Sequence, residues 1–328
     1  MLRDESFSDL LLYEGDDPAR LKGCGSPMLM PVPEECVEET LTLKRHITDV
    51  MAQKQGAASV QIDFNGVRYR VAQLQDVRRG RVWFLRRLAE RVPALEELNV
   101  GDLYGSGMFS VVSKWLMAPE QTQGLVLISG PQASGKTTLA SAYVAARLSR
   151  YGGHGVTFEG PPELPLAGDW GNGGSCFQVE INNDDELAHE IECAHRYGSP
   201  NIVLHGEIRT KWTAREALRM ALGSSRQIVV ATIHGLSLVA ALHRLINWAK
   251  ELDGDNARDN LSISLMAALH LSMEEVNGKP TVVIPEFLLL PFTPKSHAIR
   301  SKLKEGKLGT LTSDITEQYS SIMGGGLR

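Results

Sequence analysis

Ser59–Phe64 and Val67–Leu74 place apolar residues at every second position on either side of Asn65-Gly66. This pattern predicts a β-hairpin, because both central residues of a type I′ turn need positive φ, which Asn and Gly tolerate. Upstream, apolar positions from Cys36 to Lys54 recur at helical spacing and predict a helix ending before Gly56. Downstream, Trp83–Leu88 predicts a further strand. After Gly124 the pattern changes. Leu125–Ile128, Val156–Glu159, Ile202–Leu204 and Ile228–Ile233 are short, mostly apolar runs. Between them Thr137–Arg150, Asp184–Tyr197, Ala214–Leu222 and Leu236–Lys250 carry helical spacing. Apolar strands that alternate with helices predict an α/β fold, a parallel sheet covered on both faces.

The expected organisation has four parts. Residues 1–35, with the clusters EGDD, GCGSP and PVPEE, are expected as a loosely structured arm. Residues 36–115 form a small α+β domain and residues 116–312 the parallel-sheet domain. Residues 313–328, ending in GGGLR, are expected as a frayed tail. No internal repeat is present.

The chain has 328 residues, enough for two cores. Its 43% apolar and 22% charged content excludes wholesale disorder. With 34 Lys plus Arg against 39 Asp plus Glu, the net charge of −5 disfavours a nucleic-acid coat, so no direct nucleic-acid binding is expected. No apolar run approaches the roughly 20 residues that span a bilayer. The opening MLRDESFSDLLLYEGDD carries acids where a signal peptide has a basic flank, which predicts a cytoplasmic protein. Cys24, Cys36, Cys176 and Cys193 include no C-x-x-C pair and fit reduced thiols.

Gly130-Pro131-Gln132-Ala133-Ser134-Gly135-Lys136-Thr137 matches the phosphate-loop pattern G-x-x-x-x-G-K-[ST], and Thr138 follows it. It lies between an apolar run and a helical segment, the context the motif requires. The glycines let backbone N–H groups curl around phosphate oxygens, and the helix N-terminus adds partial positive charge. Lys136 is expected to bridge the β- and γ-phosphates and Thr137 to ligate Mg²⁺, making ATP with Mg²⁺ the expected ligand. Glu159 in VTFEG and Glu207 in IVLHGE end two strands, and His234 ends a third. In a doubly wound sheet these ends face the ligand crevice. A turn cap is the plainer role for either glutamate, and a satisfied structural residue the plainer one for His234.

GPQASGKTT, TFEGPPE, NIVLHGEIR, VVATIHG and AIRSKLKEGK, in that order, resemble the secretion and pilus traffic ATPases over roughly residues 58–310. That superfamily includes PilT-like, GspE-like and DotB/TraJ-like motors. The resemblance implies a RecA-like ATPase domain, a PAS-like N-terminal domain, and a homohexameric ring. It also implies ATP hydrolysis at the cytoplasmic face of an inner-membrane pilus or secretion complex. Glu159 then falls at the catalytic glutamate of the Asp box, Glu207 at the Walker B glutamate and His234 at the His-box histidine. Among the basic residues Arg70, Arg78, Arg79, Arg81, Arg86 and Arg87, the resemblance places Arg86 best as a source of charge for phosphate, with Arg78 or Arg79 second. Arg209, Arg215 and Arg219 offer further charge after Glu207.

The Asp box departs from its usual form: Glu159-Gly160-Pro161-Pro162-Glu163 lacks the aspartate, as DotB-like members also do. His205 stands where an aliphatic residue is usual, and Tyr197 takes an arginine's slot beside Arg196. The tetracysteine module of GspE-like motors is absent, whereas AIRSKLKEGK resembles a stretch of PilT-like ones. His189 and Cys193, four apart, form a conceivable two-ligand metal edge, with His195 on another face and Cys176 upstream. Two other functions compete with the motor: a RecA-like nucleic-acid motor, and a nucleotide-binding ring with weak hydrolysis that acts as scaffold or regulator.

Overall fold

The computed structural model describes residues 1–23, 28–53, 59–101, 107–223, 226–276 and 279–323. Cys24, the expected helix end at Lys54–Gly56 and the GGGLR terminus lie outside them. The chain divides into two compact units, Met1–Arg91 and Val92–Arg328.

The first unit contains β1 (Asp9–Tyr13), β2 (Arg20–Lys22), β3 (Leu29–Pro31), α1 (Val37–Gln53), β4 (Ser59–Phe64), β5 (Val67–Asp76) and β6 (Gly80–Arg87). The strands form an antiparallel sheet in the order β3-β2-β1-β6-β5-β4. Asn65 and Gly66 have φ of 52° and 74°, the backbone a type I′ hairpin needs. The expected loose arm over residues 1–35 is corrected here: β1 lies between β2 and β6 and is interior to the sheet. Leu10 and Leu12 are buried with Leu43 and Ile47 of α1 and Trp83 of β6. Two leucines alternating through five residues suffice to anchor so short a strand, although Gly, Pro and acidic residues around it hide the signal.

The second unit contains α2 (Met108–Leu116), β7 (Gly124–Gly130), α3 (Lys136–Tyr151), β8 (Gly153–Glu159), β9 (Gly168–Gly171) and β10 (Gly174–Glu180). It continues through α4 (Asp184–Cys193), β11 (Ile202–Ile208), α5 (Lys211–Leu222), β12 (Ile228–His234), α6 (Leu238–Asp253) and α7 (Asn256–Ser264). The antiparallel pair β13 (Leu265–Val276) and β14 (Lys279–Leu289) precedes α8 (His297–Lys304) and α9 (Leu311–Met323). The sheet order is β14-β13-β7-β12-β11-β8-β10-β9, parallel from β13 to β10 with an antiparallel strand at each edge. Along β7, Leu125 and Leu127 pack towards α5 and α6, whereas Val126 and Ile128 pack with α3. Burial on both faces explains why this strand reads as an unbroken apolar run.

Val92, Leu95, Met108, Val112 and Leu116 join the core that holds Val126 and Ile128. Residues 92–115 therefore belong with the parallel-sheet unit, not with the smaller one. Residues 313–323 of the expected frayed tail belong instead to α9, which buries Leu311 and Ile315. Its Asp314 pairs with Lys302 at 2.7 Å, and Gln318 exchanges two hydrogen bonds with the Leu289 backbone.

Candidate functional site

The loop between β7 and α3 is set by its glycines. Gly130 has φ 153°, and a Cβ there would fall on the Leu271 carbonyl oxygen. Gly135 has φ 84° and caps α3. Ala133 also takes a positive φ, 61°. Inside the loop, Ser134 Oγ donates to the Pro131 carbonyl at 2.9 Å. Lys136 Nζ donates to the same oxygen at 2.6 Å. Lys136 is 7% exposed, and its burial pulls the ammonium below the usual lysine range against the opposing charges of Glu207 and Glu163. Gln132 is exposed, while Thr137 and Thr138 are half-buried on the first turn of α3.

Two strand ends meet beside Lys136. His234, last in β12, has Nδ1 3.4 Å from Lys136 Nζ and Nε2 2.7 Å from Glu207 Oε1. That oxygen is buried and has no donor aligned for a hydrogen bond. Glu207 Oε2 accepts from Arg209 Nε at 2.7 Å. The pairing of β11 with β12 slips at Gly206, whose carbonyl accepts from Thr232 Oγ1 at 2.8 Å. A Cβ on Gly206 would stand 3.0 Å from the Phe158 carbonyl and 3.3 Å from Glu159 Cα and Cγ. Glycine lets β11 pass Glu159 this closely without pressing on the Phe158 carbonyl.

Glu159 ends β8 and is 5% exposed. Burial pushes its carboxyl above the usual range; the hydrogen bond from Gln178 Nε2 (3.0 Å) acts the other way. A raised carboxyl pKa in a cleft is how a general base is commonly tuned. A phosphate cradle, a buried ammonium, two strand-end carboxylates and an imidazole are the parts that phosphoryl transfer to water uses.

The N-terminal arginines lie in the other unit, where Arg79, Arg81, Arg86 and Arg87 are each paired with a carboxylate of that unit. Arg86 Nε pairs with Asp9 at 3.0 Å. Arg79 pairs with Asp17 at 3.2 Å and covers the Tyr13 ring at 4.9 Å. Arg81 is bound to Glu14, and Arg87 to Glu90. Arg78 contributes its backbone N–H to Asp76. Arg215 is paired with Glu216 and lies over Trp212. The conceivable metal edge reduces to His189 Nε2 and Cys193 Sγ, 3.7 Å apart. Cys176 is buried, its thiol pushed up to about 12 by burial, and the His195 side chain lies outside the described residues. Among the described residues no group of three or more His, Cys, Asp or Glu is placed to hold a metal ion.

Gln178 was not legible in the sequence as a partner of Glu159, because the contact depends on β10 lying beside β8. The grip of Arg209 on Glu207 was closer to reach, since the two are only two residues apart.

Residues 38–274 match the model of the Type II/IV secretion system protein family. The uncharacterized protein YggR of Escherichia coli K12 is 30% identical over 226 residues, 68% of this chain and 62% of YggR. The type IV pilus retraction ATPase PilT of Pseudomonas aeruginosa is 28% identical over 76% of this chain and 64% of its own length. The aligned region thus spans less than two thirds of either relative. The crystal structure of the pilus retraction motor PilT with bound ADP superposes with a TM-score of 0.69 at 22% identity, covering 94% of this chain and 84% of that one. The Legionella pneumophila ATPase DotB superposes with 0.66 at 18% identity, covering 93% and 83%. Both share the fold. By the match over residues 38–274, the chain belongs to the Type II/IV secretion system protein family.

Proposed function

We propose that the chain is the ATP-hydrolysing subunit of a homohexameric motor. It would work at the cytoplasmic face of an inner-membrane type IV pilus or type IVB secretion or conjugation machine. The observation that carries this reading is the meeting of Lys136, at the start of α3, with Glu207 and His234 at the ends of β11 and β12. The residues present fit Mg-ATP. The backbone from Gly130 to Thr138 offers N–H groups at a helix N-terminus, and the buried Glu207 Oε1 lacks an aligned donor.

In this reading the N–H groups of Gly130, Pro131's successors Gln132, Ala133, Ser134 and Gly135, and those of Lys136, Thr137 and Thr138, hold the phosphates. The Lys136 ammonium bridges β- and γ-oxygens. The Thr137 hydroxyl would hold Mg²⁺, which would supply positive charge against the phosphates. Glu159, its carboxyl raised by burial, takes a proton from the attacking water; Glu207 orients that water, and His234 reads the γ-phosphate. Arg86, with Arg79 second, supplies positive charge from the N-terminal unit once released from Asp9 and Asp17.

The test is ATP turnover by the purified chain at several dilutions, with light-scattering mass measured with and without ATP and Mg²⁺. A hexamer whose rate per subunit rises with concentration is expected, and Arg86→Ala lowers that rate. A fully active monomer rules out the ring. Stimulation by nucleic acid would favour the RecA-like nucleic-acid motor; binding without turnover would favour the scaffold.

A further inference from the structure

The site described above leaves one buried polar chain unused. His270 of β13 lies level with Ser129 of β7, one residue before Gly130, and is 4% exposed. Ser129 Oγ donates to the Leu269 carbonyl at 3.0 Å and stands 3.0 Å from His270 Nδ1. A hydroxyl carries one hydrogen, so with Leu269 as its acceptor Ser129 receives the Nδ1–H of His270.

On the other side of His270, β14 places Glu286 directly opposite in the antiparallel register. Opposed residues of such a pair share a face of the sheet. The Glu286 carboxylate leaves the sheet for a helix: Oε2 accepts the backbone N–H of Leu238, the first residue of α6, at 2.5 Å. A negative charge suits a helix N-terminus, where backbone N–H groups lack intrahelical partners. Only Gly235, Leu236 and Ser237 separate α6 from His234. Arg244, on the second turn of α6, donates to the His234 carbonyl at 2.8 Å. The start of α6 and the position of His234 therefore move together.

We propose that Glu286 and His270 are positioning residues of the nucleotide site: Glu286 fixes the start of α6, and so the reach of His234, while His270, its register partner on β13, ties that strand to the phosphate-loop strand through Ser129. This inference rests on the nucleotide-hydrolysis reading. It makes the edge hairpin β13–β14, which supplies no residue of the phosphate-loop motif, the element that sets the His234 end of the site.

The test compares the full chain with Glu286→Ala, Glu286→Gln and His270→Ala. Three quantities are read: kcat and KM for ATP, affinity for a fluorescent ADP analogue, and hydrogen exchange across residues 234–241. Glu286→Ala is expected to lower kcat about tenfold, which is about 1.4 kcal/mol of activation free energy. ADP affinity stays within about twofold, because the phosphate cradle is intact. Exchange across 234–241 rises. Glu286→Gln, whose amide oxygen still accepts from Leu238 N–H, restores the protection and most of kcat. His270→Ala loses kcat in the same direction.

Wild-type kcat in Glu286→Ala overturns the proposal. So does a loss of kcat matched by equal loss of ADP affinity, or a Gln variant no better than Ala. Failure of the unaltered chain to bind ADP would instead refute the nucleotide reading. Exchange then decides the positioning claim alone: an unchanged 234–241 segment in Glu286→Ala overturns it.

Discussion

His234 and Glu207 face each other from the ends of neighbouring parallel strands, with Nε2 2.7 Å from Oε1. The other ring nitrogen lies 3.4 Å from Lys136 Nζ, so one imidazole touches both the loop's ammonium and the strand's carboxylate. Three groups this close act as an electrostatic unit, and the effects of changing them are not additive. The slip at Gly206 makes the arrangement possible, because it shifts Glu207 by one position against β12.

Lys136→Ala abolishes ATP turnover and weakens nucleotide affinity. A hydrogen bond to a charged group contributes about 1.5–3 kcal/mol, which corresponds to roughly 10- to 150-fold in affinity. Calorimetric titration measures it. Because burial disfavours the ammonium, the nucleotide-free variant is expected to melt no lower than the unaltered chain. Undiminished hydrolysis would remove Lys136 from the site.

Glu207→Gln and Glu159→Gln keep ATP binding and slow hydrolysis, Glu159→Gln by about 10²–10⁴-fold, the usual worth of a positioned proton acceptor. The amide is nearly isosteric but carries no charge and accepts no proton. Single-turnover measurements separate chemistry from binding. A variant that hydrolyses at the original rate shows its carboxylate to be structural.

His205 gives the fold a defined acid sensitivity. It is 2% exposed, and burial, opposed by nearby backbone groups of His205 and Thr213, lowers its pKa from 6.5 to about 4. Between those values the unfolded chain binds the proton and the folded chain does not, so stability falls as pH drops from about 6.5 through about 4. His205→Leu removes this component. Denaturant midpoints at pH 7.5 and 4.5, about one unit beyond the usual histidine value and near the folded one, should differ less in the variant than in the original. Equal differences would refute the assignment.

Leu10→Ala tests the place of β1 in the first core. Leu10 is fully buried, and truncating such a side chain costs about 2–5 kcal/mol. Urea unfolding of the full chain reads the loss. A change below about 0.5 kcal/mol, typical of surface positions, would return the segment to a loose arm.

Much of this protein was legible in one dimension because its signals are local. The Asn65-Gly66 turn is specified by the φ its two residues tolerate. The strand–loop–helix at 124–151 is specified by glycines and by the lysine and threonine that follow them. Glu159, Glu207 and His234 could be placed at strand ends because each closes an apolar run. Short β1 was lost among acidic and turn-forming neighbours, as was α9, whose weak amphipathic pattern acquires meaning only against β14 and α8.

The sequence by itself determined that a phosphate loop exists, which residues flank it, and which carboxylates and histidine end the strands beside it. Only the tertiary structure decided that β7 lies between β12 and β13, and that placement brings His270 to Ser129 across 141 residues of chain. It likewise set the grip of Gln178 on Glu159 and of Glu286 on the start of α6. Backbone preference and hydrophobic period act over a few residues and so can be read along the chain. Strand order depends on which faces find burial together, and that is settled only when the whole sheet assembles.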